Sequence, residues 1–199
     1  MLTSINPFGE RVKGNRFGVT ATAHVLGAAL GGVGLGLAAG VVGLVIATQV
    51  AAPGRAAVLA VAALAAMVIE TTRAGSRRWL AGWYRQVDEQ WLDEFRGTVY
   101  GFGFGVQLGF GLVTIVTSAV TWVVVLAIAL QSSLTASVAV GAVFGVVRGL
   151  DILRVRRVLD VASLRAVMRS HHEHENAVRH ATALAMLVAG GSLLAGVLS

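Results

Sequence analysis

Two stretches of this chain carry no charged side chain, residues 17 to 50 and residues 97 to 147. About 20 apolar residues cross the hydrocarbon core of a bilayer, and no core helix of a soluble domain needs so long an uncharged run. Of the 199 residues 56% are hydrophobic and 13% are charged, the latter about half the share usual in a soluble domain. The fold class these features predict is all-α, a polytopic transmembrane helix bundle. The chain has no cysteine, which excludes disulfides, thiolate metal sites and dithiol electron relays.

Five hydrophobic segments can be drawn. Helix A covers about 17 to 50, and helix B about 54 to 72, after the Ala52-Pro53-Gly54 turn signal. Helix A′ covers about 97 to 131, helix B′ about 133 to 151, and helix C runs from about 179 to the end. A and A′ are anomalous, because some 34 residues make about 50 Å of helix against a hydrocarbon core of about 30 Å. Each must tilt, kink, protrude or divide, and the functional reading is a bend or break at Gly31-Gly32 and at Gly109.

Basic residues choose the topology. Arg11, Lys13 and Arg16 precede A, while Arg73, Arg77, Arg78, Arg85 and Arg96 lie between B and A′. Arg154, Arg156, Arg157, Arg165, Arg169 and Arg179 lie between B′ and C. With A and A′ as single spans, all three basic segments fall on one face, which the positive-inside rule makes cytoplasmic. The expectation is five spans in the plasma (bacterial inner) membrane, amino terminus and basic linkers cytoplasmic, carboxyl terminus outside. The net charge of +6 is then a topological signal, and nucleic acid is not an expected partner. The first segment is too long for a secretory signal and reads as retained.

An offset of about 80 residues aligns similar features within one membrane domain, residues 1–199. Arg16-x-x-Val19 meets Arg96-x-x-Val99, Glu70-Thr71-Thr72-Arg73 meets Asp151-Ile152-Leu153-Arg154, and Arg77-Arg78-Trp79-Leu80 meets Arg156-Arg157-Val158-Leu159. This predicts a parallel repeat of long helix, short helix and basic linker over about 16–95 and 96–176, followed by a last transmembrane helix over about 179–199. Small residues must supply helix association where lipid offers no hydrophobic drive. Gly97, Gly101, Gly105 and Gly109 recur every four residues on A′, and Gly141, Gly145 and Gly149 on B′, so these are the expected packing positions. Trp79, Trp83, Val87, Trp91 and Phe95 mark the first linker as an amphipathic interfacial helix. The second linker, 152 to 170, reads as a basic extension of B′ whose arginines favour anionic lipid headgroups.

Three constellations carry candidate chemistry. His171, His174 and Glu175 have donors and helical spacing suited to a divalent metal, against the plainer reading of a solvated loop. Glu70 and Asp151 end the two short helices beside Arg73, Arg148 and Arg154, where they could gate ions or simply pair. Arg148 lies deepest and is assigned Asp151 or Glu70 as partner. His24, Gln107, Thr114 and Thr117 are polar positions within the long helices. His24 and His180 could in principle hold a haem, but interhelical hydrogen bonds account for these residues more simply, and no cofactor is expected. No catalytic or nucleotide-binding motif is present, so an enzyme is not expected.

The opening Gly9-Glu10-Arg11…Gly14-Asn15-Arg16 and the glycine-rich run from Tyr100 to Gly109 look like those of small bacterial membrane proteins. The repeated glycine-rich bundle is similar in architecture to the broad group containing the cytochrome c biogenesis thiol transporter and sulfite exporters. The membrane cysteines of that thiol transporter are absent here, so no thiol relay and no residue role is carried over.

The expected function is a small transporter-like protein moving an ion or small solute through a site between A and A′. The alternative is a non-enzymatic accessory or assembly subunit, associating with itself or with a partner membrane subunit. Tags fused to the two termini should be accessible from opposite sides of the membrane. Labelling of both from one side would remove the five-span topology.

Overall fold

In a computed structural model of the chain, residues 5–72, 94–111 and 118–198 are described, His171 and His172 by their backbone alone. The elements are α1 (Pro7–Val12), α2 (Phe17–Gln49), α3 (Ala52–Thr71), α4 (Gly97–Phe110), α5 (Val120–Ala129), α6 (Leu134–Gly149), a 3-10 helix (Leu150–Val155) and α7 (Val161–Leu198). The described residues contain no strand. Four helices are long and apolar enough to cross a membrane: Phe17–Gln49, Ala52–Thr71, Leu134–Val155 and Val161–Leu198. The protein is therefore a helical membrane bundle.

Helix A is continuous as α2, 33 residues without a break at Gly31-Gly32. A′ is not the single helix the charge pattern predicts. It ends as α4 at Phe110, where Gly111 adopts the left-handed conformation with φ 76°. Only glycine takes up that conformation without steric cost, and it commonly stops a helix. Apolar helix resumes at Val120 as α5. The 14 residues of α4 and 10 of α5 span about 21 Å and about 15 Å, each short of a full crossing.

The second linker also differs from expectation. Beyond α6 the chain tightens into the 3-10 helix instead of extending B′, and α7 starts at Val161, not near 179. Asp160 and Ser163 cause that early start. The Ser163 N–H donates to the Asp160 carboxylate at 2.7 Å, and Ser163 Oγ accepts from the Asp160 N–H at 3.2 Å. This reciprocal cap satisfies amide groups that open a helix. It also holds the Asp160 carboxyl below its ordinary pKa, because the cap's hydrogen bonds favour the charged form. The tryptophan-bearing linker lies outside the described residues.

Residues sort into two compact units. The first comprises Met1–Gly34, Trp83–Ile115 and Gly141–Glu173. Its centre is Ala28 of α2, fully buried. A Cβ on Gly109 of α4 or on Gly145 of α6 would overlap the Ala28 carbonyl, and one on Gly149 would lie 2.8 Å from the Ala28 Cβ. Gly105 would collide in the same way with the His24 carbonyl, and Gly101 with that of Thr20. Three helices thus meet backbone to backbone. Beside them Ile5, Ala21, Tyr100, Phe104, Ile152, Val155 and Val158 form the larger apolar cluster.

The second unit comprises Leu35–Gly82, Val116–Val140 and His174–Ser199. Ala60, Ala63 and Ala66 form the buried stripe of α3, which packs against α5. Gly190 of α7 meets Leu64 and the Ala60 carbonyl, and Gly36 of α2 meets Ser137 and Val138. In both units buried positions are largely alanine and glycine, while Leu26, Leu30, Val41, Val61, Val143 and Val188 are exposed. That inverts the usual soluble pattern and suits a lipid surround, which rewards close backbone contact more than apolar burial.

Gly105→Leu should be incompatible with this packing. The backbone of α2 cannot yield as a side chain would, so a loss of about 3 kcal/mol, the upper end for overpacking, is expected, read as a lowered unfolding midpoint in detergent or as aggregation. Gly191→Ala, where a Cβ meets nothing within 4 Å, should leave the midpoint unchanged.

Candidate functional site

Interrupting a helix exposes carbonyls at one new end and amides at the other, with partial charges of opposite sign. In apolar surroundings neither end can rely on water. Each end here has an ionisable side chain of complementary charge. Both of those residues, Glu70 and Arg148, are polar candidates visible in the sequence.

In the second unit, Glu70 reaches the amino end of α5. Its Oε1 accepts from Ser118 Oγ at 2.7 Å and from the Ala119 N–H at 2.8 Å. Its backbone carbonyl accepts from Arg179 Nε at 3.2 Å and Nη2 at 2.9 Å. Thr71 and Thr72 donate their hydroxyls to the Met67 and Val68 carbonyls, so the last turn of α3 is covered by side chains. Oε2 of Glu70 accepts no hydrogen bond among the described residues.

In the first unit, Arg148 of α6 lies at the carboxyl end of α4. A Cβ on Gly111 would come within 3.2 Å of Arg148 Nη1, and the guanidinium sits 5.4 Å from the Phe144 ring centroid. This is a cation–π geometry beside the negative end of a helix dipole. Arg148 Nη1 is buried without a hydrogen-bond partner among the described residues. Of the two partners expected for Arg148, Asp151 stands near enough for its charge to act on the guanidinium but forms no ion pair with it among the described residues. Asp151 pairs instead with Arg154 at 3.1 Å, both side chains more than half exposed.

A further polar cluster in the first unit has no counterpart in the sequence expectations. Asn6 caps α1 by accepting from the Gly9 N–H at 2.9 Å, Pro7 opens the helix, and Gly14 in the left-handed region closes it. That short helix carries Glu10 into the interior at 1% exposure. The carboxylate accepts from Thr20 Oγ1 at 2.6 Å and from the Tyr100 hydroxyl. Asn15 Nδ2 donates to the same phenol oxygen at 3.2 Å, and Lys13 Nζ lies 5.8 Å over its ring. Asn-Pro at the start and Gly at the end of residues 6 to 14 were the signals that could have revealed it.

The remaining candidates divide plainly. His24 is buried and its Nδ1 faces the Gly101 carbonyl at 3.2 Å, an acceptor, so Nδ1 carries the hydrogen. His180 belongs to the other unit and is exposed on α7. Gln107 is half-buried on α4. Thr114, Thr117 and Arg73 lie outside the described residues, as does the His171 side chain. His174 and Glu175 are exposed on α7, helical and not in a loop, and no group of three metal-ligating side chains occurs among the described residues.

Tyr100→Phe should leave a buried carboxylate oxygen of Glu10 without its donor. A loss of about 1–3 kcal/mol in the unfolding midpoint is expected, and an unchanged midpoint would show that the cluster does not anchor α1. Comparison with known proteins adds no family to this geometry: no family model matches the chain, and neither does any curated protein or solved structure.

Proposed function

We propose that this membrane protein moves a cation, or a small solute together with a proton, using Glu70 at an interrupted helix. The observation that carries the reading is the end of α4 at the left-handed Gly111, with Glu70 set at the amino end of α5. Broken helices are tolerated in membranes where their ends are buried in protein or line a cavity, and transporters build ion and substrate sites from them. Glu70 has one oxygen committed to the helix end and one free of protein donors among the described residues. It can therefore take up and release a cation or proton without dismantling the cap. An accessory role is the second reading. It is favoured by the apolar half of α7, which is little buried and leaves Leu184, Leu187 and Val188 exposed to lipid or a partner.

Reconstituted into liposomes, the protein should carry a carboxylate-dependent flux of monovalent cations or protons. Glu70→Gln keeps an acceptor for Ser118 and Ala119, so the helix end should persist while flux falls by about tenfold or more. Arg154→Gln, at an exposed pair, should transport normally. Unaltered flux in Glu70→Gln at preserved helix content would remove Glu70 from the mechanism. Absence of flux together with a stoichiometric partner on purification would replace transport by the accessory role.

A further inference from the structure

Beyond α6 the chain follows a three-residue period, which separates its side chains onto three faces. Hydrogen bonds from the Arg156 N–H to Leu153 O at 3.2 Å and from the Val158 N–H to Val155 O at 3.0 Å carry this turn past the 3-10 helix itself. In such a helix residues three apart eclipse one another. Ile152, Val155 and Val158 form the inner face and are buried. Leu150, Leu153 and Arg156 form a second line, and Asp151, Arg154 and Arg157 a third. An α-helical continuation of B′ would have scattered these groups, so the sorting depends on the change of helix type.

The two outer lines border an open groove of about 370 Å³, lined by Leu150, Leu153, Arg154, Arg156 and Arg157. Leu150 and Leu153 are exposed, and Leu150 continues the exposed strip made by Val143 and Val147 on α6. An apolar track therefore leads along a membrane-spanning helix and ends among three guanidinium groups. Asp151 holds Arg154 at 3.1 Å. Arg156 and Arg157 are exposed and have no protein acceptor among the described residues.

We infer that this groove is a binding site for one anionic phospholipid. The phosphodiester would sit between Arg156 and Arg157, and an acyl chain would lie over Leu153, Leu150 and Val147. Arginine suits that role because its planar fork can donate two parallel hydrogen bonds to phosphate oxygens. A free phosphate would need the arginines but not the leucines. A zwitterionic lipid would cover the leucines but return no net charge to the arginines. The apolar track and the basic end together select the anionic lipid, and this site is independent of the transport reading.

Native mass spectrometry of the detergent-purified full chain with added phosphatidylglycerol or phosphatidylcholine tests the site. One phosphatidylglycerol should be retained preferentially. Arg156→Gln/Arg157→Gln should weaken it roughly 25-fold, at roughly fivefold for each basic group near a lipid surface. Arg11→Gln/Arg16→Gln removes equal charge from the same unit and should keep the preference. Equal losses in both double variants would mean diffuse attraction and would overturn the site. Displacement of the lipid by millimolar inorganic phosphate, with the same arginine dependence, would reassign the groove to free phosphate and overturn the lipid. Photoactivatable phosphatidylglycerol on the unaltered chain should label residues 150–157, and labelling confined elsewhere would also overturn it, even if the double variant fails to fold.

Discussion

The approach of three helix backbones at Ala28 is the constraint on which the first unit depends. Ala28 is wholly buried, and there is no room for a Cβ on the facing glycines of α4 and α6. Lipid is as apolar as leucine, so burying leucine between helices gains little over leaving it in the bilayer. Dispersion between tightly apposed backbones, with side chains too small to hold them apart, has to supply the attraction. The exposed leucines and valines of α2 and α6 follow from the same logic.

Close packing of this kind also fixes where polar groups can go. Gly97 and Gly101 bring α4 against Thr20, which places Tyr100 and Thr20 around the carboxylate of Glu10. Gly111 ends α4 and brings its carboxyl end against Arg148. In the second unit the alanine stripe of α3 lets α5 lie close enough for Glu70 to accept from the Ala119 amide that precedes it. Glu10 and Glu70 are thereby held by hydrogen bonds that offset their burial, while Arg148 lies against the Phe144 ring with Nη1 buried and no hydrogen-bond partner among the described residues.

The 3-10 helix and the Asp160–Ser163 cap show how local chemistry redirects a chain whose charge pattern suggests something simpler. Counting charges merges residues 152 to 170 into one basic helix. The cap between Asp160 and Ser163 splits that helix and starts α7 18 residues before the apolar segment would suggest. The Asp-x-x-Ser spacing was legible and is a physical start signal. The 3-10 turn was not legible, because it is held by burial of Ile152, Val155 and Val158 against side chains remote in sequence.

Uncharged length determined, from the sequence alone, that this is a helical membrane protein, since uncharged, largely apolar runs of more than 30 residues suit spanning helices and not the short alternating strands of a barrel. Sequence also determined which glycines recur at helical spacing and which acids and arginines stand at the ends of apolar segments. It could not decide that α2 continues through Gly31-Gly32 while α4 stops at Gly111. A helical glycine and a helix-ending one are the same residue until neighbouring backbones and side chains select its dihedral angles. Nor could it assign partners. Glu70 and Arg148 carry opposite charge and invite pairing, yet Glu70 holds the amino end of α5 and Arg148 lies at the carboxyl end of α4. Tertiary structure made that choice, because the amino end of α5 and the carboxyl end of α4 carry partial charges of opposite sign, and each lies beside the side chain that complements it.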